Sequence, residues 1–201
     1  MEPGVAPIIE SVVTTINPDG GVNCGAMGVE WGAEQIVIKP YRGTRTLRNL
    51  RATGTAVVNL TDDILLFSQA ALADPHPPTH PAASVEGAVL DDACSWREVR
   101  VETIDESAQR ARVSTVVVDG GTGREFLGFN RARHAVLEAS ILASRVRMLG
   151  AEEIGAELSR LQVLVDKTGG PREHEAMEYV RAAIGDAARR PRNVGPDAPR
   201  R

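Results

Sequence analysis

Two short stretches of this 201-residue chain carry residue types that could hold a charged ligand. The first is Tyr41-Arg42-Gly43-Thr44-Arg45-Thr46, followed by Leu47 to Arg51 of helical composition. A glycine turn, two threonine hydroxyls, two arginines and a helix start with Thr46 as N-cap fall together. Helix N-termini offer unpaired N–H groups and a favourable dipole to phosphate. Thr46 capping a helix beside solvated arginines describes the stretch equally well, because capping threonines are common. The second stretch is Asn23-Cys24-Gly25-Ala26-Met27-Gly28, short of bulky side chains inside a strand pattern. Glycine there marks a bulge at a barrel corner or a close approach to the backbone. One strand apart, the two suit a ligand flat at one end, with Met27 packed on its face, and phosphorylated at the other.

Other candidates are weaker. His76 and His80 lie four apart, but Pro77 and Pro78 prevent the helix that would aim both at one ion. Cys24 and Cys94 lack chelating spacing, so no metal site is expected. Beside a cofactor Cys24 could tune or react, whereas a small buried thiol is the plainer reading. Gly121-Thr122-Gly123 invites a dinucleotide fingerprint, yet Phe126 occupies the third glycine's place. A hairpin turn after a strand ending at Asp119 is expected instead. Asp62 and Asp63 read as capping residues, and no GxSxG elbow is present. His134 and Glu138 read as a surface pair, while Asn130 and Arg131 stay open as groups reaching a ligand cleft from a helix start.

The elements that must position these residues follow from periodicity. Ile8 to Trp31 reads as a hairpin turning at Asn17-Pro18-Asp19-Gly20-Gly21. Glu34 to Pro40 is a third strand, Thr46 to Arg51 a short helix closed by Gly54, and Thr55 to Leu60 a fourth strand. Ile64 to Leu72 is a helix. Asp74 to Ala82, with four prolines, is a stiff loop, and Ser84 to Leu90 a further strand. Trp96 to Ile104 and Gln109 to Asp119 form a second hairpin. There Val99, Val101 and Thr103 alternate with Glu98, Arg100 and Glu102, which are expected on the solvent side. The last third changes to a helical period: Leu137, Ile141 and Met148, then Ile154, Leu158, Leu161 and Val165, then Met177, Val180, Ile184 and Ala187. Strands first and helices last predict an α+β protein: a core over 1–130, helices over 131–188 ending in a hairpin, and a disordered tail over 189–201.

Composition narrows the function classes. At 42% hydrophobic residues the chain can bury a real core, and 3% aromatics leaves that core to Val, Ile, Leu and Ala. A formal net charge of −4 argues against nucleic-acid and anionic-membrane partners. No long apolar run or signal-peptide pattern is present, so a cytoplasmic location is expected. Two distant cysteines read as reduced thiols.

Four blocks, IIESVVTTINPDGGVNCGAMGV, KPYRGTRTLRNL, AVVNLTDD and GFNRARHAVLEASILASR, give the chain a family resemblance over roughly Pro7 to Thr168. It resembles the uncharacterised split-barrel proteins that bind FMN, relatives of the flavin reductases found in archaea and in methanopterin-using bacteria. The resemblance implies a six-stranded split β-barrel, a homodimer, and FMN near the subunit interface. It implies that Asn23, Cys24, Gly25, Ala26, Met27 and Gly28 contact the isoalloxazine. Thr44, Arg45, Thr46 and Asn49 would hold the phosphate with Tyr41 in the same loop, and Asn59 would sit near the ring or ribityl chain. The implied activity is a flavin-dependent oxidoreductase passing hydride or electrons between a reduced nicotinamide and an unidentified acceptor. The alternative is a non-catalytic flavin-binding module in a one-carbon pathway. The Asp74 to Pro81 loop and the basic tail depart from the family pattern.

Overall fold

The computed structural model of the chain describes residues 6–146, 149 and 151–189, without the side chains of 151–153 and 188. The expected lead-in before residue 6, Met148 on its helix face, and the tail beyond Arg189 lie outside them. The chain divides into two compact units, Met1–Gly128 and Phe129–Arg201.

The opening hairpin forms where its turn chemistry puts it. Strands β1 (Ile8–Ile16) and β2 (Val22–Trp31) pair from Ile8↔Glu30 to Ile16↔Val22. At the turn the Gly20 N–H donates to the Asn17 carbonyl at 2.9 Å, and Gly20 adopts φ 83°, which glycine takes without a Cβ clash. The remaining barrel strands are β3 (Gln35–Ile38), β4 (Thr55–Leu60), β7 (Ser95–Asp105) and β8 (Arg112–Thr122). They close a six-stranded antiparallel barrel in the order β1-β2-β3-β8-β7-β4, with β2 joined to β3 only at Glu30 and Trp31. Val13, Val29, Ile36, Ile38, Val58, Val99 and Val113 fill the interior. Helix α1 (Arg45–Thr53) adds Leu47 and Leu50 to the same core. Helix α2 (Ile64–Leu72) starts at Asp63, whose carboxylate accepts the N–H groups of Leu65 and Leu66.

The outer face of β1 and β4 is as dry as the inner one: Val12 and Val57 are both 0% exposed. A strap covers it, made of β5 (Thr79–Pro81), β6 (Ala88–Leu90) and the turn between them. Polar side chains on the barrel's outside hold this strap. Thr14 donates to the Ala88 carbonyl, Thr55 donates to the Glu86 carbonyl at 2.7 Å, and Asn59 Oδ1 accepts the Leu90 N–H at 3.0 Å. Glu98 accepts the N–H groups of Ala83, Ser84 and Val85 at 2.9, 2.6 and 3.1 Å.

Three expectations are corrected. The Asp74 to Ala82 loop contains β5, and the strand expected over Ser84 to Leu90 shortens to Ala88–Leu90 because the preceding turn bonds to Glu98. Glu98 lies on the outer side as its parity demands, but at 2% exposure it meets the strap rather than solvent. A register shift between Val101 and Thr103 then flips the alternation, so Ile104 packs on the core and Thr103 is exposed. Finally, β8 runs on to Thr122 instead of turning. Gly121 is required there because an added Cβ would lie 2.3 Å from the Trp96 ring.

The second unit holds α3 (Arg131–Ser144), α4 (Ala151–Thr168) and α5 (Pro171–Arg189). Ile154, Leu158, Leu161 and Val165 are buried as their spacing predicts, as are Met177 and Val180. On α3 the expected face is displaced: Ala132, Ala135, Val136, Ala139, Ser140 and Ala143 are buried, while Leu137 and Ile141 are half-buried. Small residues let neighbouring helices approach closely, which a leucine face would prevent. Burial pushes the Glu173 carboxyl up, but hydrogen bonds from Arg133 and the Gly170 N–H outweigh it and hold it below its ordinary value.

Two predictions follow from these contacts. Replacing Glu98 with glutamine turns an amide N–H₂ toward donors and should lower stability by about 1–3 kcal/mol. The urea midpoint should fall and thermolysin should nick the strap sooner; an unmoved midpoint would remove the strap from the stability argument. At the barrel seam, hydrogen bonds from Arg112 and then Lys39 hold Glu30 at about 2, against 4.5 ordinarily. This depressed group stabilises the fold above pH 4.5, and the contribution is lost as pH falls toward 2. Glu30→Gln should therefore flatten the acid limb of the stability profile between those values and leave its neutral part the same shape.

Candidate functional site

The mouth of the barrel beneath α1 holds a connected set of buried polar groups. Asn23 donates to the hydroxyls of Thr15 and Thr46, both at 3.1 Å. Asn49 donates to Thr15 Oγ1 at 3.0 Å and to Asn17 Oδ1 at 2.8 Å. Asn23, Thr46 and Asn49 are 6%, 4% and 2% exposed, so these bonds are made away from water. They tie α1 to the hairpin and fix where its N-terminus points.

That terminus is capped by Thr44, not by Thr46. Thr44 accepts the Leu47 N–H at 3.4 Å and donates to the Tyr41 carbonyl at 2.8 Å. The cap lies two residues earlier than expected because Thr44 has the extended backbone of a cap, with φ −71° and ψ 156°. The Thr46 hydroxyl is engaged by Asn23, leaving its backbone N–H and that of Arg45 as first-turn donors without an intrahelical acceptor. Arg45 itself pairs with Asp74, at the root of the strap. Asp74 Oδ1 is buried and is the one such side-chain atom among the described residues without a hydrogen-bond partner.

The pleat of β2 divides the glycine-rich stretch between two faces. Asn23, Gly25 and Met27 share a parity with the core residue Val29, whereas Cys24, Ala26 and Gly28 point the other way. Gly25 lets α1 come close: an added Cβ would sit 3.0 Å from Thr46 Oγ1 and 3.2 Å from Met27 Cε. At Gly28 the space is taken by Ile8 and Glu10, with an added Cβ 2.6 Å from Ile8 Cγ2. Gly25 to Gly28 are all half-buried, a run of strand with little side chain over its backbone. Burial pushes the Cys24 thiol up to about 11, with the charge of Asp74 adding to the effect. It is a protonated thiol at neutral pH, not a nucleophile.

The structure thus brings Asn23, Gly25, Met27, Tyr41, Thr44, Arg45, Thr46 and Asn49 together around one helix start. Asn59 is not brought there. It is 0% exposed, and its amide bonds the Val12 carbonyl, Thr14 and the Leu90 N–H within the barrel and strap. Asn130 caps α3, accepting the Arg133 N–H and donating to the Thr168 carbonyl, and Arg131 is exposed. No group of three or more His, Cys, Asp or Glu placed to hold a metal occurs among the described residues. Sequence reasoning missed Thr15, Asn17 and Asp74, whose partners lie 29 to 34 residues away or across a hairpin, where no local pattern marks them.

Residues 9–124 match the N-terminal domain, and residues 130–182 the second part, of a family described as protein of unknown function DUF447. The chain belongs to this family. A solved structure from Methanosarcina mazei, an FMN-bound DUF447 protein, shares 23% identity over 90% of this chain and 97% of that one, with a TM-score of 0.78. An FMN-binding protein from Thermus thermophilus, with bound p-hydroxybenzaldehyde, shares 12% identity over 64% of this chain and 81% of that one, at a TM-score of 0.51. The fold is therefore the flavin reductase-like split barrel that the sequence blocks imply. No helix among the described residues is long and apolar enough to cross a membrane.

The buried thiol yields a prediction. At pH 8 a group titrating near 11 is thiolate in roughly one molecule per thousand. Iodoacetamide should label Cys24 only after denaturation, read by peptide mass. Rapid labelling of the native protein would show the site is open.

Proposed function

We propose that this protein binds FMN and works as a flavin-dependent oxidoreductase, passing hydride or electrons between a reduced nicotinamide and an acceptor. The observation that carries the reading is the start of α1. First-turn N–H donors, Thr44 and Arg45 converge beside a half-buried, glycine-rich strand, in a family with an FMN-bound member of the same fold. The donor set fits a phosphate. Arg45 is held by Asp74, but a guanidinium has five N–H donors and can serve a carboxylate and a phosphate together.

In this reading the N–H groups of Arg45 and Thr46, with the Arg45 side chain, take the phosphate. Gly25, Ala26, Met27 and Gly28 border the ring, with Cys24 behind them as a neutral thiol, and Tyr41 flanks the phosphate loop. Asn23 and Asn49 act one step back, by holding Thr46 and the helix in place. Asn59 acts through the barrel wall. Bound FMN supplies the hydride- and electron-accepting ring, while the protein contributes orientation and a local field. A homodimer with FMN near its interface belongs to the same proposal.

The test is the visible spectrum of purified protein, followed by anaerobic addition of NADH or NADPH. A flavin spectrum that bleaches supports the oxidoreductase; one that stays oxidised favours a binding module. A colourless protein that fails to take up FMN would falsify the reading. Thr44→Ala with Arg45→Ala should weaken FMN by about tenfold or more and riboflavin far less, because only FMN carries the phosphate.

A further inference from the structure

Lys39 to Arg51 holds five cations, Lys39, Arg42, Arg45, Arg48 and Arg51, and no acid, in a chain of net charge −4. Carboxylates answer three of them: Glu30 pairs with Lys39, Asp74 with Arg45, and Glu106 with Arg51. Arg42 and Arg48 have no carboxylate within ion-pair distance among the described residues. Arg110, arriving from the turn between β7 and β8, has none either. All three are exposed.

Backbone and ring contacts hold this trio around one loop. The Arg42 N–H donates to the Gln109 carbonyl at 3.1 Å, and Tyr41 bridges to Arg110. Arg48 reaches back to the Gly43 carbonyl at 2.8 Å. The Arg110 guanidinium lies 4.3 Å from the centre of the Tyr41 ring and donates to the Tyr41 hydroxyl at 2.9 Å. Tyr41 is 42% exposed, so the group presents aromatic surface and charge together. A phosphate monoester brings roughly −1.5 to −2 charges. One flavin phosphate at the helix start, with Asp74 already facing Arg45, leaves Arg42, Arg48 and Arg110 unanswered. Like charges gathered against their own repulsion, in an otherwise acidic protein, form a local positive field that concentrates anions.

We infer that Arg42, Arg48 and Arg110, with Tyr41, form a second anion site that takes the phosphate of a nucleotide ligand distinct from the flavin. This rests on the flavin reading and deepens it. The second ligand is a dinucleotide carrying a phosphate remote from its reacting ring, a 2′-phosphorylated nicotinamide dinucleotide rather than the unphosphorylated one. Bidentate guanidinium contacts suit such a phosphate, and Tyr41 suits the adjoining adenine.

Full-length protein supplied with FMN is titrated calorimetrically with 2′,5′-ADP and with 5′-AMP. The expected result is about tenfold tighter binding of 2′,5′-ADP. That preference should collapse in an Arg48→Gln, Arg110→Gln double variant and partly return in Arg48→Lys, Arg110→Lys, with FMN uptake unchanged in both. Equal binding of the two probes by the wild type overturns the inference, as does an unaltered preference in the glutamine variant. Displacement of 2′,5′-ADP by an equal concentration of sulfate also overturns it, by reducing the patch to counter-ion attraction. FMN uptake in the same samples separates the two claims. Loaded protein without the preference defeats the second site alone, and wild type that takes up no FMN defeats the flavin reading.

Discussion

The seating of α1 in the mouth of the barrel is the constraint on which the rest depends. Leu47 and Leu50, 0% and 1% exposed, join the aliphatic side chains of the barrel interior. Burying two leucines favours the seat by roughly 3–6 kcal/mol, but apolar contact has no direction and would tolerate rotation of the helix. Direction comes from the amides of Asn23 and Asn49, whose bonds to Thr15, Asn17 and Thr46 are satisfied in one orientation. A buried amide left without its partner would cost more than the bond contributes, so the network selects a single pose. Everything proposed for the helix N-terminus needs that pose.

The outside of the barrel obeys a similar logic with a different answer. β1 and β4 carry apolar residues on both faces, which in an open antiparallel sheet would leave a sticky surface. The strap covers it, yet its turn presents backbone N–H groups that need acceptors once water is excluded. Glu98 supplies them from the barrel side, and Thr14, Thr55 and Asn59 bind the remaining stretch. Because Asp74 lies at the root of this strap and pairs with Arg45, the covering segment and the start of α1 share one ion pair. A proline-rich, stiff segment suits a part whose path must be reproducible.

Much of the architecture was legible in the sequence because local chemistry determined it. The Asn17 to Gly21 turn, Gly54 closing α1, Asp63 opening α2 and the spacing of Ile154 to Val165 each express a rule acting within one or two turns of chain. The four-block resemblance added the barrel's closure, which periodicity cannot reveal. What only the tertiary structure decided involves partners distant in the chain. Thr44, with the extended backbone of a cap, opens α1, while the Thr46 side chain is turned inward to Asn23 on β2. Glu98 is buried because a segment 13 to 15 residues earlier folds over it. Gly25 to Gly28, contiguous in sequence, serve two faces because a strand turns successive residues to opposite sides. Asn59 is fully buried because its amide finds partners in Val12, Thr14 and Leu90, on other strands. Local propensity reads what a residue does to its own backbone, and the choice of a partner across space is made only when the barrel closes.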